Sequence, residues 1–138
     1  MKEYEKLSHV TWDCKYHIVW VPKYRRKQLY GKTRRHFGEV MHDLCRQKDI
    51  QIVEGHAMPD HVHLCLSFAP KYSISYVVGF LKGKSAIRLN REVVRSPRST
   101  PFWIRGYFAS TVGLDEKMIR EYIRHQENVD KQQMELNL

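Results

Sequence analysis

A chain of 138 residues and 16.6 kDa suits one domain, and 42% hydrophobic with 12% aromatic residues excludes general disorder. Lys and Arg number 24 against 15 Asp and Glu, a net charge of +9 that points to a polyanion such as nucleic acid. No apolar run approaches the roughly 18 residues that span a bilayer. The N-terminus MKEYEKLSHV lacks the pattern of a signal peptide, and Cys14, Cys45 and Cys65 form no CxxC pair or even-numbered disulfide framework. A cytoplasmic, single-domain protein over residues 1–138 with no membrane partner is expected.

Residues 11–21 alternate, with Trp12, Cys14, Tyr16, Ile18 and Trp20 on one parity and Asp13, Lys15 and His17 on the other. That period predicts one long strand closed by Pro22. A basic loop follows. From Arg35 to Lys48 the apolar positions Phe37, Val40, Met41, Leu44 and Cys45 recur at helical spacing. Residues 50–58 and 61–68 predict two antiparallel strands joined by the Pro59-Asp60 turn. Ser73 or Ser75 caps a helix expected to run to Val94. Residues 102–108 predict a fourth strand, and a last helix starts near Asp115 after Gly113. The order β-α-β-β-α-β-α predicts an α+β, ferredoxin-like (RRM-like) sandwich: an antiparallel sheet with helices on one face, plus the C-terminal helix. The core is expected over residues 9–126, with residues 129–138 extending the helix or forming a flexible tail.

His61-Val62-His63 is the sharpest chemical feature. Residues i and i+2 of a strand share a face about 7 Å apart, so two imidazoles there can converge on one ion. Val62, Leu64 and Leu66 are needed in the core, which predicts that His61 and His63 stand on the opposite, open face. Two solvated surface histidines satisfy the same pattern. Cys65 shares their parity, but residues i and i+4 of a strand lie about 13 Å apart, so it reads as an apolar filler and not a third zinc ligand.

On the last helix Met118, Ile119, Tyr122, Ile123 and Gln126 follow helical spacing, with Tyr122 and Gln126 one turn apart. Spacing alone fits a core stripe whose aromatic is Tyr122, although such a stripe has little use for the Gln126 amide unless it binds something. Its oxygen suits a hard divalent cation, and a phenol beside that cation could act as nucleophile. Eight Lys or Arg and no acid lie between Lys15 and Arg35, and Lys84, Arg88, Arg91 and Arg95 fall on one helical face with only Glu92 nearby. Ion pairing with one acid does not account for such a row, so phosphate contacts are expected instead.

Four stretches, YHIVWVPKYRR (16–26), GHAMPDHVHLCLS (55–67), FLKGKSAIRLN (80–90) and FWIRGYFASTVGLDEKMIREYIRHQ (102–126), resemble the single-tyrosine transposases of small insertion sequences, the IS200-like branch of the HUH nucleases. The resemblance implies metal ligands at His61 and His63, an amide ligand at Gln126 and a nucleophile at Tyr122. It implies cutting and rejoining of single-stranded DNA bearing hairpins, by metal-assisted transesterification through a 5′-phosphotyrosine. It also implies Mg²⁺ or Mn²⁺ in preference to Zn²⁺, and a homodimer in which the tyrosine helix of one subunit completes the histidine site of the other. Hairpin contacts are expected at Lys23, Arg25, Arg26 and Lys27 and at Lys84, Arg88 and Arg91. A non-cleaving nucleic-acid-binding module and a zinc hydrolase using water are the competing readings.

Overall fold

The computed structural model describes residues 5–7, 10–23, 29–94 and 101–136. Strands β1 (Glu5–Leu7) and β2 (Val10–Trp12) pair antiparallel as a separate ribbon. The main sheet holds β3 (Lys15–Trp20), β4 (Gln51–Met58), β5 (His61–Ser67) and β6 (Phe108–Ser110) in the order β4-β5-β3-β6, every neighbouring pair antiparallel. Helices α1 (Gly31–Gln47), α2 (Ile74–Leu89) and α3 (Glu116–Leu136) complete the expected α+β arrangement.

The sheet has two faces set by alternation. Ile18 and Trp20 of β3 and Val62, Leu64 and Leu66 of β5 join Phe37, Val40, Met41 and Leu44 of α1 and Val77, Val78 and Leu81 of α2 in the main core. Trp103 locks the aromatic part of that core, edge-on to Trp20 and Phe37, and its indole N–H donates to Ser85 Oγ at 3.1 Å. Ser73 caps α2 by accepting from the Tyr76 amide, and Asp115 caps α3 by accepting from the Met118 amide.

Three expectations need correction. Residues 11–21 do not form one strand: the chain leaves β2 at Trp12 and re-enters the main sheet at Lys15. The second long helix ends at Leu89, and residues Asn90–Val94 form a wider π turn. The strand expected over 102–108 is interrupted. Lys23 donates to Phe102 O and Ile104 to Val21 O, each at 2.8 Å, but pairing resumes only at Phe108 opposite Val19. An arch at residues 105–107 separates the two stretches, and Gly106 permits it with φ +103°. Of the two alternatives for the C-terminal tail, residues 129–136 take the helical one and extend α3.

Candidate active site beneath the C-terminal helix

The register sets the site. His63 pairs with Val19 on one side and His56 on the other, and Val19 pairs in turn with Phe108. His63 and Phe108 therefore lie in one row across the sheet, two strand spacings or about 10 Å apart. The ring of Tyr122 packs edge-on against Phe108 with centroids 5.7 Å apart, while Ile123 and Ile119 cover Val21 and Ile104. Helix α3 thus lies on its own chain's sheet, on the face that carries the odd-numbered residues of β5.

That placement corrects the expected open face. His61 is only 6% exposed and His63 is half-buried, and α3 packs on the same sheet face, which alternation alone assigns to solvent. His61 Nδ1 lies 2.9 Å from Asp60 Oδ1, and the other carboxylate oxygen lies 3.0 Å from Arg120 Nη1 on α3. Burial pushes the Asp60 carboxyl up, but the bond from His61 and the charges of His61 and Arg120 outweigh it and hold it below the usual range. The pairing ties up Nδ1 and leaves Nε2 of His61 as the nitrogen available to a ligand.

His63 has His17 and His56 as ring neighbours, with centroids 5.7 and 6.1 Å away. Burial, followed by the charges of those two histidines, lowers its pKa and favours the neutral ring that coordinates metals. Its Nε2 is buried and meets no hydrogen-bond partner among the described residues. Tyr122 and Gln126 are brought together: the Gln126 amide nitrogen donates to Tyr122 Oη at 2.8 Å and to Arg105 O at 3.2 Å. Burial raises the Tyr122 pKa, and the bond from Gln126 opposes that rise.

An orphaned imidazole nitrogen, a second imidazole oriented by a carboxylate and an amide oxygen are a donor set that fits a divalent cation. Among the described residues no three His, Cys, Asp or Glu side chains are grouped to hold a metal ion. Cys65 is buried with its Sγ 3.8 Å from His17 Nε2, and burial raises its pKa.

The basic residues divide differently from expectation. Arg88 Nε lies 2.9 Å from Glu92 Oε1 and its Nη1 3.4 Å from Asp43 Oδ2, while His36 reaches Glu92 at 3.0 Å. Ion pairing therefore does account for Arg88, since Asp43 arrives from α1, where the sequence gives no hint of it. Arg91, on the π turn, lies 3.5 Å from Glu92, and Lys84 is exposed. Lys23 is paired with the buried Asp130 of α3. Arg25, Arg26, Lys27 and Arg95 lie outside the described residues.

Asp60 was legible only as a turn residue, although its place directly before a His-x-His strand is the signal for an orienting carboxylate. Arg120 and the neighbours His17 and His56 carry no such signal, since their proximity depends on strand register and helix docking.

The family model described as transposase IS200 like matches residues 10–126. The chain belongs to the IS200-like transposase family. This transposase is 40% identical over 141 aligned residues to the transposase for insertion sequence element IS200 of Salmonella typhimurium, spanning 100% of this chain and 93% of that protein. It is 34% identical over 87 residues to the ISDra2 transposase TnpA of Deinococcus radiodurans, spanning 63% of this chain and 62% of that protein. A crystal structure of a transposase-assigned protein from Deinococcus radiodurans superposes with a TM-score of 0.79 at 28% identity, over 88% of this chain and 97% of that one. A REP-associated tyrosine transposase bound to a REP hairpin shares the fold, with a TM-score of 0.57 at 14% identity over 91% of this chain and 68% of that one. No helix among the described residues of this transposase is long and apolar enough to cross a membrane.

Proposed function

We propose that this transposase cuts and rejoins single-stranded DNA at hairpin-bearing ends through a 5′-phosphotyrosine on Tyr122. The observation that carries the reading is the placement of the Tyr122–Gln126 pair on the same sheet face as His61 and His63. The REP hairpin held by a protein of the same fold supports a structured single strand as ligand.

Tyr122 Oη bonds to the scissile phosphorus and gives its proton to solvent. The departing 3′ oxygen leaves with the electron pair and takes up a proton. A second 3′-hydroxyl then displaces the phenol, so one phosphodiester-level bond is exchanged for another. Gln126 steadies the phenol oxygen, and Asp60 fixes the His61 ring. A divalent cation held by His61, His63 and the Gln126 amide oxygen supplies charge stabilisation at the phosphate when bound, and Mg²⁺ or Mn²⁺ suits that oxygen-containing donor set.

The test is incubation with a single-stranded hairpin oligonucleotide and Mn²⁺, followed by a denaturing gel. A covalent protein–DNA band that disappears in Tyr122→Phe supports the reading. Binding without any adduct supports the non-cleaving module, and cleavage that survives Tyr122→Phe with tightly held zinc supports the hydrolase. Charge reversal at Arg25 and Arg26 should lower hairpin affinity and its salt dependence; no change removes that surface from the proposed DNA path.

The proposed assembly is a homodimer. The contacts of α3 with its own sheet support a site completed within one chain, whereas the family resemblance implies completion by the other subunit. Mixing a His61→Ala/His63→Ala protein with a Tyr122→Phe protein separates the two: restored adduct requires sharing between subunits, and no adduct assigns the site to single chains.

A further inference from the structure

Gln126 is seated by a backbone arch, and the arch is seated by a lysine on a different helix. The Gln126 amide nitrogen donates to Arg105 O at 3.2 Å. The two flanking carbonyls, of Ile104 and Gly106, both accept from the ammonium of Lys82 on α2, at 2.8 and 2.6 Å. The carbonyl between them, that of Arg105, takes no bond from Lys82 and meets Gln126 of α3 instead, so the three successive carbonyls tie α2 and α3 to one short stretch of backbone.

The seat is close-fitting on the other side as well. Gly106 has φ +103°, and a Cβ there would come 3.3 Å from the Gln126 amide nitrogen. Lys82 is half-buried, and burial lowers its pKa to about 8. A lysine taken partly out of water needs strong acceptors, and these two carbonyls provide them.

We propose that Lys82 is a positioning residue for the Tyr122–Gln126 pair, acting through the carbonyls of residues 104–106 to orient the Gln126 amide and, through it, the phenol oxygen. With its nitrogen held by Arg105 O and Tyr122 Oη, the amide has its plane fixed and its oxygen on the side away from both. The inference rests on the reading of Tyr122 as nucleophile and Gln126 as its partner.

The test compares Lys82→Met, Lys82→Gln and Lys82→Arg in the full chain. Two NMR signals are read without metal or DNA: the Gln126 side-chain amide, assigned with Gln126→Leu, and the Tyr122 ring ¹³Cζ, assigned with Tyr122→Phe. The Trp103 indole signal reports the fold, since that indole bonds Ser85 on the same helix as Lys82. Lys82→Met should shift both site signals and leave the indole in place. Adduct formation at saturating hairpin oligonucleotide should slow by about 10- to 100-fold, the size expected of a misplaced reacting group, at unchanged hairpin affinity. Lys82→Arg should recover most of the rate. If Lys82→Met does not fold, Lys82→Gln carries the same comparison with a smaller change. Site signals that stay in place in a folded Met or Gln protein overturn the proposal, whatever the rate does. Absence of an adduct in the wild-type protein overturns the nucleophile reading alone, because the two signals still report whether Lys82 orients Gln126.

Discussion

The carboxylate of Asp60 joins the histidine strand to the tyrosine helix: Oδ1 lies 2.9 Å from His61 Nδ1 and Oδ2 lies 3.0 Å from Arg120 Nη1. One short side chain at a two-residue turn thereby holds an imidazole on one side and touches α3 on the other. Asp60→Asn keeps the shape but loses the charge that holds His61. Affinity for Mn²⁺, measured by calorimetric titration, should fall by about 10- to 100-fold, the usual consequence of losing an orienting partner. An unchanged affinity in a folded protein would separate Asp60 from the metal site. Arg120→Ala should cost less than about 1 kcal/mol of stability, because the arginine is 44% exposed and water screens the pair.

Tyr122→Phe should separate chemistry from folding. The ring remains against Phe108, and the Gln126 amide keeps its bond to Arg105 O. Urea melts should therefore shift by about 1 kcal/mol or less, while the covalent DNA adduct is lost entirely. A loss of several kcal/mol would mean that the phenol is a structural anchor.

The main core should respond to cavity formation. Leu66 is fully buried among α1, α2 and the central strands, so Leu66→Ala should destabilise by about 2–5 kcal/mol in denaturant melts. Val112→Ala is the contrast: Val112 is 68% exposed, and its loss should stay within about 0.5 kcal/mol. Equal costs would show that the core is not packed as described.

Acid should dissolve the network between α1 and the end of α2. The hydrogen bonds from Arg88 and then His36 hold the Glu92 carboxyl down to about 2, from 4.5. A depressed carboxylate contributes stability above its unfolded pKa and loses it as pH falls through its folded one. Asp43 and Arg91 face the same cluster. Comparison with Glu92→Gln isolates Glu92: the difference in melting temperature should be full above about pH 4.5 and close as pH falls toward about 2. A constant difference across that range would rule out the charged pairing as its source.

Local periodicity was enough for the elements that repeat. The stripe Phe37, Val40, Met41, Leu44, Cys45 appears as the buried face of α1, and Val62, Leu64 and Leu66 enter the core as their alternation requires. Tyr122 and Gln126 meet because four residues make about one helical turn. Motif chemistry likewise singled out His61 and His63, since a side-chain pair at i and i+2 needs nothing beyond the strand itself. Element interruptions were less legible. The break after Trp12 and the arch at 105–107 each occur inside a run whose composition still reads as strand, because pairing partners and not propensity decide where a ladder stops.

Sequence by itself thus determined the layered architecture, through the order of its periodic elements, and, through resemblance over four stretches, the family and the four residues on which the proposed chemistry turns. Only the tertiary structure decided that α3 packs on the sheet face that carries the histidines, that Arg88 answers to Asp43, that Lys23 answers to Asp130, and that Lys82 braces the seat of Gln126. Each of these joins groups from segments that are remote in the chain or register. Their meeting depends on how whole faces pack, and hydrophobic burial is non-directional, so it cannot announce in advance which polar partners it will bring together.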